Sequence, residues 1–366
     1  MTRGRIAIAA GLSLSVFAAA GSAEPLSCRH VEIIDAETGA PVTGIEDIAV
    51  DRRRGVAYLS AYDRLAVERS IRRNADEIPE GAIYRLEAAQ LASQPRAENM
   101  RVAPVADRKR LGTEFRPHGV ALRADSAALA VINRTYVRAD GEWRITPEVA
   151  VIPLLGEEKA RSFAAHCRAN DVAFLGDALL ITRDREACGA SAWAENVFGL
   201  RRGAVAMLDR SGAASVLIAA RRFPNGVVAA REQGFFAVAL TREQAIEVFE
   251  ISQEAPLSGR SAADREPLKR IKLPGAPDNI SIGPKYDLLA AVAPSLMRLA
   301  LYRRGWTNRA PSRIVALDRE TGATRVLFDD PRGEILSGAT IAVEFAGAVI
   351  AGSAVDDGLA VCRGAP

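Results

Sequence analysis

Apolar residues in this chain come in short runs that open the same way each time: polar side chains, then at once an apolar strand, a turn and a second apolar strand. Six segments share the plan. They are Gly44-Ile45-Glu46-Asp47-Ile48-Ala49-Val50, Arg116-Pro117-His118-Gly119-Val120-Ala121-Leu122, Arg168-Ala169-Asn170-Asp171-Val172-Ala173-Phe174, Phe223-Pro224-Asn225-Gly226-Val227-Val228-Ala229, Ala276-Pro277-Asp278-Asn279-Ile280-Ser281-Ile282 and Gly338-Ala339-Thr340-Ile341-Ala342-Val343. They recur roughly every 50 to 70 residues, and self-similarity at such intervals is the mark of a repeat architecture.

Turn residues follow each opening strand. Examples are Asp51-Arg52-Arg53-Arg54-Gly55, Gly176-Asp177, Gly283-Pro284-Lys285 and Gly347, each leading into another apolar run, which reads as a hairpin. Further strands are expected at Ala82-Ile83-Tyr84-Arg85-Leu86, around 149–154, 204–209 and 245–250, and at Arg313-Ile314-Val315-Ala316-Leu317-Asp318. Several strands per repeat with little helix give an all-β fold, a six-bladed β-propeller around a central channel. Because the repeats share one ring, residues 24–366 form one domain. Two stretches interrupt the rhythm as rim or lid insertions: 62–80, which has room for a helix, and 186–202. The basic run at 69–73 reads as a solvated helix face, and 337–355 as the two strands of an outer hairpin.

The first residues differ in kind. Met1-Thr2-Arg3-Gly4-Arg5 is followed by an apolar run to Ala20 and by Gly21-Ser22-Ala23, the layout of a secretory signal peptide spanning 1–23. No later segment reads as membrane-spanning, so the mature chain is expected to be periplasmic or secreted. The formal charge of +3 loses Arg3 and Arg5 with the leader, and a near-neutral chain argues against nucleic acid as a partner.

All four cysteines, Cys28, Cys167, Cys188 and Cys362, lie in the exported part, which favours disulfides. Three connectivities are open. A ring must bring its ends together, which favours Cys28 with Cys362 and leaves Cys167 with Cys188 across one hairpin.

In a propeller the innermost strands start at one end of the channel, so the residues preceding them converge there. That set is Glu46, Asp47, Asn170, Asp171, Asn225, Asp278 and Asn279, with the imidazole of His118 beside them. Hard oxygens in this number suit calcium, which takes about 6 to 8 of them, better than magnesium.

These motifs, from Gly44-Ile45-Glu46-Asp47 through Asp278-Asn279-Ile280-Ser281 to Gly338-Ala339-Thr340, resemble those of the paraoxonase/arylesterase family within the SMP-30/gluconolactonase-like propellers. The resemblance runs over nearly the whole mature chain, including Cys28 and Cys362. It implies two calcium ions: a catalytic one held by Glu46, Asn170, Asn225, Asp278 and Asn279, and a structural one held by Asp47, Asp171 and a backbone carbonyl near Val120. It also implies that His118 is a general base, and an imidazole in that role is expected to titrate near the ordinary histidine range. One departure stands out, because Arg134 occupies the place of the family's second histidine. An arginine stays protonated and cannot relay a proton, but it can bind an anionic part of a substrate. The expected activity is calcium-dependent hydrolysis of lactones and aryl esters by a monomer. The alternatives are a calcium-stabilised binding module without turnover and a gluconolactonase-type sugar lactonase.

Overall fold

The computed structural model describes residues 25–93, 96–156, 158–189, 191–251 and 265–364; the expected leader lies outside them. Its strands form four separate four-stranded antiparallel sheets, one eight-stranded sheet and a small two-stranded hairpin. The eight-stranded sheet is two sets of four. They are joined where the parallel pairing of Ser27–Asp35 with Asn99–Asp107 bridges the outer edges.

Each set begins with one of the motif strands: Ile45–Asp51, Pro117–Leu122, Ala169–Leu175, Pro224–Ala230, Ala276–Ile282 and Ala339–Phe345. These six strands touch one another in cyclic order, the last meeting the first. Apolar side chains fill every gap between successive sets. Ile45 and Leu59 pack with Ile350 and Val361, Val120 and Leu129 with Ile83 and Phe115, and Leu180 and Val205 with Phe236 and Leu240. A fully buried side chain of this size contributes roughly 1.5–3 kcal/mol, so the ring of interfaces is the main source of stability.

Turn chemistry acts where the sequence places it. Asp51 Oδ1 accepts the backbone N–H groups of Arg53 and Arg54, both at 3.1 Å, and Gly55 closes that turn at φ 65°. One expectation is corrected. Residues 337–355 hold Ala339–Phe345 and Ala348–Ser353, which form the innermost hairpin of their set and not an outer one. Their near-continuous apolar character reflects burial on both faces next to the ring.

Ser27–Asp35 was not expected as a strand. It completes the last set beside Leu359–Arg363, with Cys28 opposite Cys362 in register and bonded to it. Cys167 and Cys188 form the second disulfide. The insertion at 62–80 contains the helix Arg64–Arg72, capped by Asp63 Oδ1 accepting from Ala66 N at 2.7 Å. Arg69 and Arg72 face solvent as expected. The insertion at 186–202 contains Ser191–Val197. A hairpin of Tyr136–Ala139 with Glu142–Ile145 and a helix Leu296–Arg303 add to the rim. Among the described residues no helix is long and apolar enough to cross a membrane.

Candidate functional site

Pairing between each inner strand and its hairpin partner is regular except at its start. There the register shifts between Ile45 and Asp47, Pro117 and Val120, Ala169 and Val172, Pro224 and Val227, Pro277 and Ile280, and Ala339 and Ile341. Such irregularities free residues from the ladder and re-aim their side chains. The residues inside them are Glu46, His118 with Gly119, Asn170 with Asp171, Asn225 with Gly226, Asp278 with Asn279, and Thr340. One local distortion, repeated around the ring, therefore gathers the expected ligands.

Hydroxyls secure the carbonyls of these distorted stretches. Ser60 donates to His118 O at 2.6 Å, Thr182 to Asn225 O at 2.6 Å, Thr241 to Pro277 O at 2.8 Å and Thr340 to Glu46 O at 2.7 Å. Sequence reasoning missed Ser60, Thr182 and Thr241. The signal was available, because each stands where a second strand returns toward the start of its hairpin.

The gathered side chains touch. Asn225 Nδ2 donates to Asp278 Oδ1 at 2.5 Å, and Asn279 Nδ2 lies 3.2 Å from Glu46 O and 3.4 Å from Glu46 Oε1. His118 Nδ1 is 2.7 Å from Glu46 Oε2, yet neither atom has an aligned hydrogen-bond partner. Glu46, His118, Asn170, Asn225 and Asn279 are buried; Asp278 is more open. Asn170 Oδ1, Asn225 Oδ1 and Asn279 Oδ1 are also buried without a donor. Apart from Asp51 Oδ2, every buried orphan oxygen among the described side chains belongs to the expected ligand set. Buried acceptors are nearly always satisfied, so a cluster of unsatisfied ones fits a cation with hard-oxygen preference.

Asp47 and Asp171 are arranged differently. Asp47 accepts from Ile48 N at 2.8 Å and, across to the next set, from Val120 N at 2.7 Å. Asp171 accepts from Val172 N and Val227 N, both at 2.7 Å. The two line a channel cavity of about 190 Å³ with Val120, Val227 and Ile280.

Burial raises the pKa of every carboxylate in the group. Asp47 is pushed up to about 7 by burial and then by the charge of Glu46, and Asp278 to about 7 for the same reasons. Asp171 stands well above its ordinary value through burial and the charge of Asp47. Glu46 is raised by burial against the pull of Arg64 and Arg134. His118 moves well below its ordinary range, through burial first and then the positive charges of Arg134 and Arg64.

The charge of Arg134 therefore acts on both Glu46 and His118. Arg64 and Arg303 were missed. Arg64 opens one rim helix, Arg303 closes another, and both act on Glu46 and His118. The disulfide of Cys167 with Cys188 is a brace beside the Ala169–Leu175 strand, where Arg168 Nε also donates to Ala187 O at 2.9 Å.

No protein-family model matches this chain, and no curated protein matches it. Solved structures do. One is a luciferin-regenerating enzyme (TM-score 0.53, 12% identity, 93% of this chain and 95% of that chain). A second is the PQQ-bound form of an aldose sugar dehydrogenase from Streptomyces coelicolor (TM-score 0.50, 13% identity, 94% of this chain and 99% of that chain). A third is a protein of unknown function from Bacteroides thetaiotaomicron (TM-score 0.51, 8% identity, 92% and 76%). The fold is all-β and of the propeller type. At such identities the likeness extends no further than the fold.

Proposed function

We propose that this chain is a calcium-dependent hydrolase of lactones and aryl esters, built on a six-bladed β-propeller and resembling the paraoxonase/arylesterase family. The carrying observation is the cluster of buried oxygens without donors on Glu46, Asn170, Asn225 and Asn279. With Asp278 they would hold the catalytic ion. Asp47 and Asp171 would hold a second, structural one, since two enclosed carboxylates that repel each other call for a cation or a proton between them.

When bound, the first ion supplies Lewis-acid polarisation of an ester carbonyl. The chain's own residues supply the rest. Glu46 Oε2 faces His118 Nδ1 at 2.7 Å, which leaves Nε2 as the atom that would take a proton from the attacking water. Burial keeps the imidazole neutral, hence able to accept that proton.

One observation favours a second reading, a calcium-stabilised binding module without turnover. Arg134 disfavours imidazolium and so weakens His118 as a base. The deciding experiment assays purified, calcium-loaded protein on γ- and δ-lactones and phenyl acetate. Turnover that chelation and Asn225→Ala both abolish supports the hydrolase. Lactone binding without product formation supports the module and overturns it.

A further inference from the structure

The second strands of three sets end at the site. Tyr62 N donates to Gly44 O at 3.3 Å, Asn133 pairs with Pro117, and Ala293 pairs with Ala276, so the chain leaves each strand beside the ligand-bearing residues. Arginines lie on the segments that follow: Arg64 at the start of Arg64–Arg72, Arg134 directly after Asn133, and, ten residues beyond Ala293, Arg303 at the end of Leu296–Arg303.

Two of the three share one carboxylate. Arg64 Nε lies 3.6 Å from Glu68 Oε1, and Arg303 donates to that same oxygen. Arg72 Nη1 lies 3.9 Å from the other oxygen, so one carboxylate serves three guanidinium groups. Arg134 Nε is buried without a hydrogen-bond partner among the described residues. Its backbone is held in place by Arg134 N donating to Arg116 O at 3.0 Å. Arg64 and Arg134 each act on Glu46, and Arg303 feels the positive charges of both.

The three guanidinium groups share one side of the site: Glu68, Glu46 and Asp278 favour the charge on Arg64, whereas the charges of Arg64 and Arg134 disfavour that of Arg303. A neutral ester does nothing to relieve this. An oxyanion does, because guanidinium groups bind carboxylate and phosphate through paired, charge-assisted hydrogen bonds.

The geometry points to an oxyanion subsite made by Arg64, Arg134 and Arg303, with Glu68 holding two of them, that selects substrates already carrying a carboxylate or phosphate before hydrolysis. This rests on the hydrolase reading for the word substrate; the subsite itself does not. The scissile carbonyl would then lie toward Asn225 and Asp278 while the anionic end meets the arginines.

The test uses probes that carry no lactone or carboxylic ester. Calorimetric titration of the calcium-loaded protein with tetrahydrofuran-2-carboxylate and with the neutral tetrahydrofuran-2-carboxamide should show the anion bound roughly tenfold or more tightly, the scale of a charge-assisted hydrogen bond. The preference should shrink at high salt. It should also fall several-fold in Arg134→Gln and in Arg303→Gln, which lie on separate elements, so either variant suffices if the other does not fold. Methyl phosphate as a third probe tells a phosphate-bearing substrate from a carboxylate-bearing one by which binds tighter. Equal affinity for acid and amide, or a preference that survives both substitutions, overturns the subsite whatever the enzyme hydrolyses. Anion preference without turnover of any lactone or aryl ester, neutral or anionic, sustains the subsite and removes the hydrolase.

Discussion

A β-carbon on Gly226 would stand 2.6 Å from Cα of Asn279 and 2.8 Å from the carbonyl oxygen of Asp278. Gly119 stands in the same relation to Asp171, at 2.6 Å from its Cα. Neighbouring inner strands therefore meet backbone to backbone where the ligands sit, and glycine is what lets them. Gly226→Ala should push Asp278 and Asn279 away from Asn225. The expected cost is roughly 1–3 kcal/mol, the usual size for overpacking a site that cannot yield. Denaturant melts and calcium titration check this together, and wild-type values in both would show that the spacing is set elsewhere.

The same contact explains what the sequence made legible. Asn225-Gly226 and Asp278-Asn279 stand out because each interrupts an apolar run with groups that a plain strand would not need, and the inner strands were readable for that reason. The outer structure was not. Ser27–Asp35 carries no repeat motif, and its place follows only from ring closure. Arg64 and Arg303 sit on inserted helices whose charged faces look like solvent coating in one dimension. Following each hairpin back to its start would have put them at the channel end. The strands at 339–353 invited two readings, the motif of an inner strand and an outer hairpin, because an apolar run says buried without saying where.

Removal of the Cys28–Cys362 bridge tests the ring closure. It links residues 334 apart, and chain entropy gives it roughly 6 kcal/mol, against about 3 kcal/mol for Cys167–Cys188 with a separation of 21. Paired serine substitutions at each bridge, compared by urea melts, should rank in that order. A smaller loss for the Cys28/Cys362 pair would mean that the strand pairing of Ser27–Asp35 alone keeps the ring shut.

The buried carboxylates give chelated protein an unusual pH dependence. Asp47 and Asp278 have folded pKa values near 7, above their unfolded ones, so the stability they contribute is complete below about pH 4 and is lost as pH rises through 7. Glu46 and Asp171 act in the same direction. His118 opposes them: its folded pKa is depressed, so its contribution is lost as pH falls below the ordinary histidine value. Four groups outweigh one, and Tm in excess EDTA should fall between pH 6 and pH 8. Calcium binds the deprotonated ligands, so the gap in Tm between loaded and chelated protein should widen over that interval. At a free ion concentration a thousandfold above its Kd, the stabilisation is about 4 kcal/mol. No effect of EDTA at pH 8 would count against any buried calcium.

The division of labour between Asp278 and His118 can be separated by two substitutions. Asp278 supplies formal charge to a divalent ion, and the amides of Asn225 and Asn279 beside it cannot replace that charge, so Asp278→Ala should lower calcium affinity and activity together. His118 faces Glu46 but moves protons, so His118→Gln should leave calcium affinity close to wild type while activity falls by roughly 10² to 10⁴. The pH profile sharpens the claim. Burial and the charges of Arg134 and Arg64 disfavour imidazolium, so the rising limb of activity should lie below the ordinary histidine range, where the sequence alone had placed it. Removing one of those charges should reverse part of the shift. In Arg134→Gln the limb should move to higher pH, because protonated His118 no longer faces that guanidinium. If His118→Gln keeps both full activity and the same limb, a carboxylate of the ring accepts the proton, and Glu46 becomes the residue to test.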